Sequence, residues 1–120
     1  MSQATFEEFC LPSLVDLSQD FGGIFVHCCA AADHLYGSFK KIPNLRGLNR
    51  VFQAPGPGPA IEVFSDQTVL LMAGLDEDKV EGMVKLALPR TRLYFNMGAR
   101  PLEEGKTLYQ RLRSLCPRPG

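Results

Sequence analysis

The sequence predicts an α/β domain in which four strand–helix units carry a parallel sheet. Three observations predict it. Short apolar runs fall near residues 23–29, 45–51, 68–74 and 91–97. The segments between and after them carry apolar residues at helical spacing, or begin and end on helix punctuation. Strands alternating with helices pair in parallel through right-handed crossovers. Four such units build either an open doubly wound sheet or half of an eight-stranded (β/α) barrel. At 120 residues the chain suits a single domain over 1–120.

A leading helix is marked by Phe6, Phe9, Cys10, Leu14, Leu17 and Phe21. Pro12 makes that helix start or kink, because proline has no N–H and clashes with the preceding turn. Gly22 and Gly23 end it. Ile24-Phe25-Val26-His27-Cys28-Cys29 reads as a strand buried on both faces. A helix follows over 33–41, with Leu35, Tyr36 and Phe39 inward and Pro43 as its stop. Residues 45–51 form the second strand, and the Pro-Gly alternation at 55–59 is a loop. A short helix over 60–64 ends at a Ser65-Asp66 turn. Residues 68–73 form the third strand. The acidic turn Asp76, Glu77, Asp78 opens the next helix, where carboxylates suit the positive end of the helix dipole. Val80, Met83, Val84 and Ala87 make its apolar stripe, and Pro89 closes it. Residues 92–97 form the fourth strand. Pro101 starts a last helix that turns Leu108, Tyr109, Leu112 and Leu115 inward, before a tail over 116–120.

Composition excludes several function classes. Lys plus Arg and Asp plus Glu are 13 each, so no net field favours nucleic acid or an anionic membrane. The apolar runs are too short to cross a bilayer, and the N-terminus lacks the basic start and apolar core of a signal peptide. A cytoplasmic chain is expected. Cys10, Cys28, Cys29 and Cys116 read as thiols, since neighbouring strand residues such as Cys28 and Cys29 point to opposite faces. No strand is followed by Gly-x-Gly-x-x-Gly, and the 55–59 segment is too proline-rich to cradle a phosphate.

Phe9-x-Leu11-Pro12 and Phe21-Gly22-Gly23-Ile24-Phe25-Val26-His27-Cys28-Cys29 resemble the uroporphyrinogen decarboxylase superfamily. That superfamily includes decarboxylases and corrinoid-linked methyltransferases, many of which carry His-x-Cys-Gly at the end of the fifth barrel strand. Here the match is His27 and Cys29, with Ala30 in place of glycine. Leu45-Arg46-Gly47-Leu48-Asn49 resembles the sixth strand. Val69 to Asp76, ending in Gly74-Leu75-Asp76, resembles the seventh. Phe95-Asn96-Met97-Gly98-Ala99 resembles an eighth-strand pattern in which decarboxylases often end on histidine. The resemblance spans nearly the whole chain and implies half of a (β/α)8 barrel without its first four units.

The resemblance also implies a chemistry. His27 and Cys29 share one face of their strand and open to the active-site mouth of a barrel. Imidazole and thiolate both ligate zinc, which would activate a substrate thiol for methyl transfer from a corrinoid protein. The methyltransferases add a cysteine from the last strand region. Residues 94–101 hold none, and Cys116 lies beyond the last helix. Asp76, at a strand end, is the candidate replacement, so the candidate catalytic set is His27, Cys29 and Asp76, with His27 and Cys29 as metal ligands.

A second reading stands beside this one. Cysteine is among the most buried residue types, and a strand-end His-Cys-Cys also arises from core packing. His34 reads as a surface or capping residue, Asn49 as a turn former or a residue of the mouth, and Asp76 as a helix cap. Arg92 and Arg100 flank the fourth strand as solvated charges or anion contacts, while Tyr94 and Phe95 read as core. Half a barrel exposes two strand edges and one sheet face. The expected partner is a second copy, forming a homodimer, or a chain carrying the missing N-terminal half-barrel. The function is then a corrinoid–thiol methyltransferase half, or a non-catalytic subunit acting only by association.

Overall fold

The chain opens with two helices where one was expected: α1 (Gln3–Phe9) and α2 (Leu11–Phe21) meet at Cys10. Pro12 sits in the first turn of α2, where its missing N–H has no helical partner to lose. Ser2 caps α1 by accepting from the Thr5 amide at 3.1 Å. Gly22 ends α2 with a left-handed φ of 74°, a conformation that glycine adopts without a Cβ penalty.

A computed structural model describes residues 1–50, 56–73, 76–98 and 101–116. The readings placed on Val51, Pro55, Gly74, Leu75, Ala99, Arg100 and 117–120 lie outside the described residues. After α2 come β1 (Ile24–Cys28), a 3-10 turn (Asp33–Leu35) leading into α3 (Tyr36–Phe39), β2 (Leu45–Arg50) and α4 (Gly58–Phe64). Then follow β3 (Val69–Ala73), α5 (Glu77–Leu86), β4 (Arg92–Asn96) and α6 (Leu102–Leu115). The helix expected over 33–41 is thus shorter and begins as a 3-10 turn. Gly58 and Pro59, read as loop, belong to α4, where proline fits the first turn.

The sheet is all parallel, and its order β1-β2-β3-β4 follows the chain without reversal. One face carries Ile24, Val26, Leu48, Leu70, Met72, Leu93 and Phe95. It packs against Phe6, Leu35, Tyr36, Phe39, Ala60, Ile61 and Phe64 of the helices in a single core. Tyr36 stands edge-on to Phe64 with ring centroids 5.2 Å apart.

The other face is open. On β1 the exposed residues alternate with half-buried ones, and Phe25 is 53% exposed. This corrects the expectation of a strand buried on both faces. β1 is an edge strand, and its apolar run reflects one packed face plus an aromatic side chain on the open one. Tyr94, read as core, is 54% exposed on β4 for the same reason. In α6 only Leu108 is buried, and Tyr109 is exposed.

One irregularity sets the register. Ile24 pairs with Leu45 but Phe25 pairs with Gly47, so Arg46 bulges out of the β1–β2 ladder. The bulge shifts the side-chain alternation of β2 by one. Leu45 and Leu48, three apart, are therefore both buried, at 4% and 0% exposure. Gly47 then turns its α-carbon to the open face beneath the Phe25 ring, where a Cβ would lie 2.3 Å from a ring carbon.

Candidate functional site

The site is a row of three residues across three strands. Asn49 on β2 pairs with His27 on β1 and with Leu71 on β3. Adjacent strands lie about 4.8 Å apart, so side chains on one face of such a row touch. Cys29, two residues past His27, follows the end of β1 on the same side. Cys28 points the other way and packs against the core.

Hydrogen bonds lock the row in one arrangement. Asn49 Nδ2 donates to the Leu71 carbonyl at 2.9 Å, which turns Oδ1 toward the His27 ring. Oδ1 only accepts, so His27 Nδ1–H donates to it. The neutral ring then keeps its lone pair on Nε2, which meets Cys29 Sγ at 2.9 Å as the acceptor of the thiol proton. Asn49 is 8% exposed, and these two bonds satisfy its buried amide. His27 and Cys29 remain exposed to solvent.

The other expected residues lie apart from this row. Asp76 is the N-cap residue of α5, makes no capping side-chain bond, and pairs with Lys79 at 3.7 Å. His34 donates Nε2–H to the Met1 carbonyl at 2.8 Å, tying the N-terminus down. Cys116 ends α6 beside Val84, Ala87, Leu88 and the N-terminal end of β4, at the opposite end of the sheet from Cys29. All four cysteines are thiols. Asn49 is the residue that sequence reasoning undervalued. Its signal was available: an amide one residue inside a parallel strand, in the strand next to His27.

The row does not fit zinc by itself. Among the described residues no three His, Cys, Asp or Glu side chains converge. The remaining residues are Val51 to Pro55, Gly74, Leu75, Ala99, Arg100 and 117–120, none of which is His, Cys, Asp or Glu. Zinc sites use three or four such donors. Tetrahedral zinc would also spread Nε2 and Sγ to about 3.5 Å, wider than the hydrogen bond that joins them. What the arrangement does chemically is hold a thiol against an oriented imidazole. No family model, curated protein or solved structure matches the chain.

Proposed function

We propose that this chain is a half-barrel subunit of uroporphyrinogen decarboxylase type, which acts in association with a second chain, and that the second chain is another copy of itself. The observation that carries this reading is the sheet itself. Four parallel strands run in chain order, α1 to α4 pack on one face, and Phe25 and Tyr94 stand exposed on the other. A doubly wound sheet would reverse its strand order, whereas a barrel does not.

A second copy suits this shape. A twofold axis along the strands sets β4 of each copy beside β1 of the other, in parallel, and closes both edges at once. The two edge strands have five residues each. Formal net charge is zero, so no long-range repulsion opposes pairing. Closure turns Phe25, Tyr94 and the Asn49 row into a shared interior with Cys29 at its rim. The methyl-transfer reading, with zinc and a corrinoid protein, needs a third metal donor from that second chain, which places subunit association ahead of independent catalysis.

Sedimentation velocity of the full chain tests this across the micromolar range. A dimer is expected, and Phe25→Asp, which sets a charge on the open face, is expected to give a monomer with unchanged far-UV circular dichroism. A wild-type chain that stays monomeric at every concentration overturns the proposal.

A further inference from the structure

We propose that Cys29 is a metal-free nucleophile, with His27 as its general base and Asn49 as a positioning residue, and that it takes small, uncharged, alkylating electrophiles. The inference rests on the Asn49–His27–Cys29 row alone and not on closure of a barrel.

Thiolate is the reactive form of cysteine, and a neighbouring imidazole that accepts the thiol proton supplies it. Here the imidazole is not left to choose its tautomer. The Leu71 carbonyl fixes the Asn49 amide, the amide fixes the His27 ring, and Nε2 is left facing Sγ at 2.9 Å. A third group that orients the base completes the usual arrangement of an activated nucleophile. Cys29 lies just past the end of β1 and is exposed, so a reagent reaches it from solvent. Beside the His27–Asn49 pair on this face stand Phe25, two residues before His27, and Leu71, the partner of Asn49, which form an apolar floor behind the row. That floor favours an uncharged carbon electrophile, and soft sulfur prefers such a centre.

The step balances without another reactant. The Sγ proton passes to His27 Nε2, and the freed sulfur pair forms the S–C bond. The bond from that carbon to its leaving group breaks, and the leaving group departs with the electron pair. The imidazolium then returns its proton to solvent, leaving a thioether on Cys29.

Iodoacetamide, with iodide as leaving group, is the probe. Peptide mapping by mass spectrometry follows labelling of each cysteine in the native full chain and in the same chain unfolded in urea. Native Cys29 is expected to react roughly tenfold or more faster than unfolded Cys29, whose exposure is complete but whose base is gone. Cys28, one residue away on the packed face, is expected to be slower native than unfolded. His27→Gln, at an exposed position, should bring Cys29 down to its unfolded rate with circular dichroism unchanged. Asn49→Ala should lower the rate and Asn49→Asp should restore it, because a carboxylate still accepts from Nδ1–H; loss of packing alone would not be rescued in this way. A native Cys29 no faster than the unfolded one, or a His27→Gln variant as reactive as the wild type, overturns the proposal. Sedimentation and alkylation are separate readouts, so failure of the dimer leaves this inference standing, and the reverse.

Discussion

Asn49 holds His27 from the neighbouring strand: its carboxamide oxygen accepts the Nδ1 proton while its amide nitrogen is anchored on the Leu71 carbonyl. The two residues are 22 apart in the chain and opposite one another in the sheet. That contact turns two exposed side chains, His27 and Cys29, into an ordered pair with the thiol on Nε2.

Replacing Asn49 should therefore change His27 before it changes the fold. Asn49→Leu keeps the volume but removes both bonds. Long-range ¹H–¹⁵N correlation spectra of neutral His27 should show the proton fixed on Nδ1 in the wild type and shared between both nitrogens in the variant. The exposed imidazole rewets, so stability should fall by only about 1 kcal/mol. Identical tautomer populations in the two proteins would dismiss the positioning role.

Arg46 bulges out of the ladder, so neither its side chain nor its place in β2 should be essential to the pairing of His27 with Asn49. Were Arg46 to take a regular place in the ladder, His27 would pair with Leu48, and Leu48 and Asn49 would exchange faces. Arg46→Ala should cost under about 1 kcal/mol, as is usual for an exposed position. Deleting Arg46 should leave a regular ladder in which Leu45 still faces Ile24 and Asn49 still faces His27, so the variant should keep a single cooperative thermal transition. A deletion variant that no longer melts cooperatively would contradict the register.

Phe64 is fully buried and meets Tyr36 edge-on. Phe64→Ala should destabilise by about 3–5 kcal/mol through lost burial and the cavity left behind. A domain of this size has only about 5–15 kcal/mol to lose. Urea denaturation gives the number, and a loss under about 1 kcal/mol would mean that the core lies elsewhere.

Glu7 ties α1 to α3. Its carboxylate accepts from Lys41 Nζ and Ser38 Oγ, both at 2.7 Å, and from Gln3 at 3.4 Å. Lys41 foremost, then Ser38 and Gln3, lower its pKa from 4.5 to about 2. A folded pKa below the unfolded one means that folding favours the ionised form. The contribution is therefore complete above pH 4.5 and is lost as pH falls through about 2. Glu7→Gln should melt below the wild type at neutral pH, and the gap should close between those two values. A gap independent of pH would show that the carboxylate charge is not what joins the helices.

Much of the fold was legible from local pattern. The strand runs at 24–28, 69–73 and 92–96 announced themselves by apolar density and flanking glycines, and the acidic residues Asp76, Glu77 and Asp78 marked the start of α5. Faces were harder. Phe25 and Tyr94 are apolar enough to read as core, yet an edge position and an uncovered sheet face leave them in solvent. Composition cannot distinguish a strand covered on both sides from one covered on one side, because both are rich in apolar residues.

The sequence by itself determined that strands alternate with helices and that His27 and Cys29 share a side, because both follow from the repeat of a single local segment. Only the tertiary structure decided that Asn49 meets His27 and that Asp76 does not join them. Neighbours across a sheet depend on register, and one bulged residue at Arg46 moves every later partner by one place. No repeat within β1 or β2 carries that information; it resides in how two distant segments settle against a shared core.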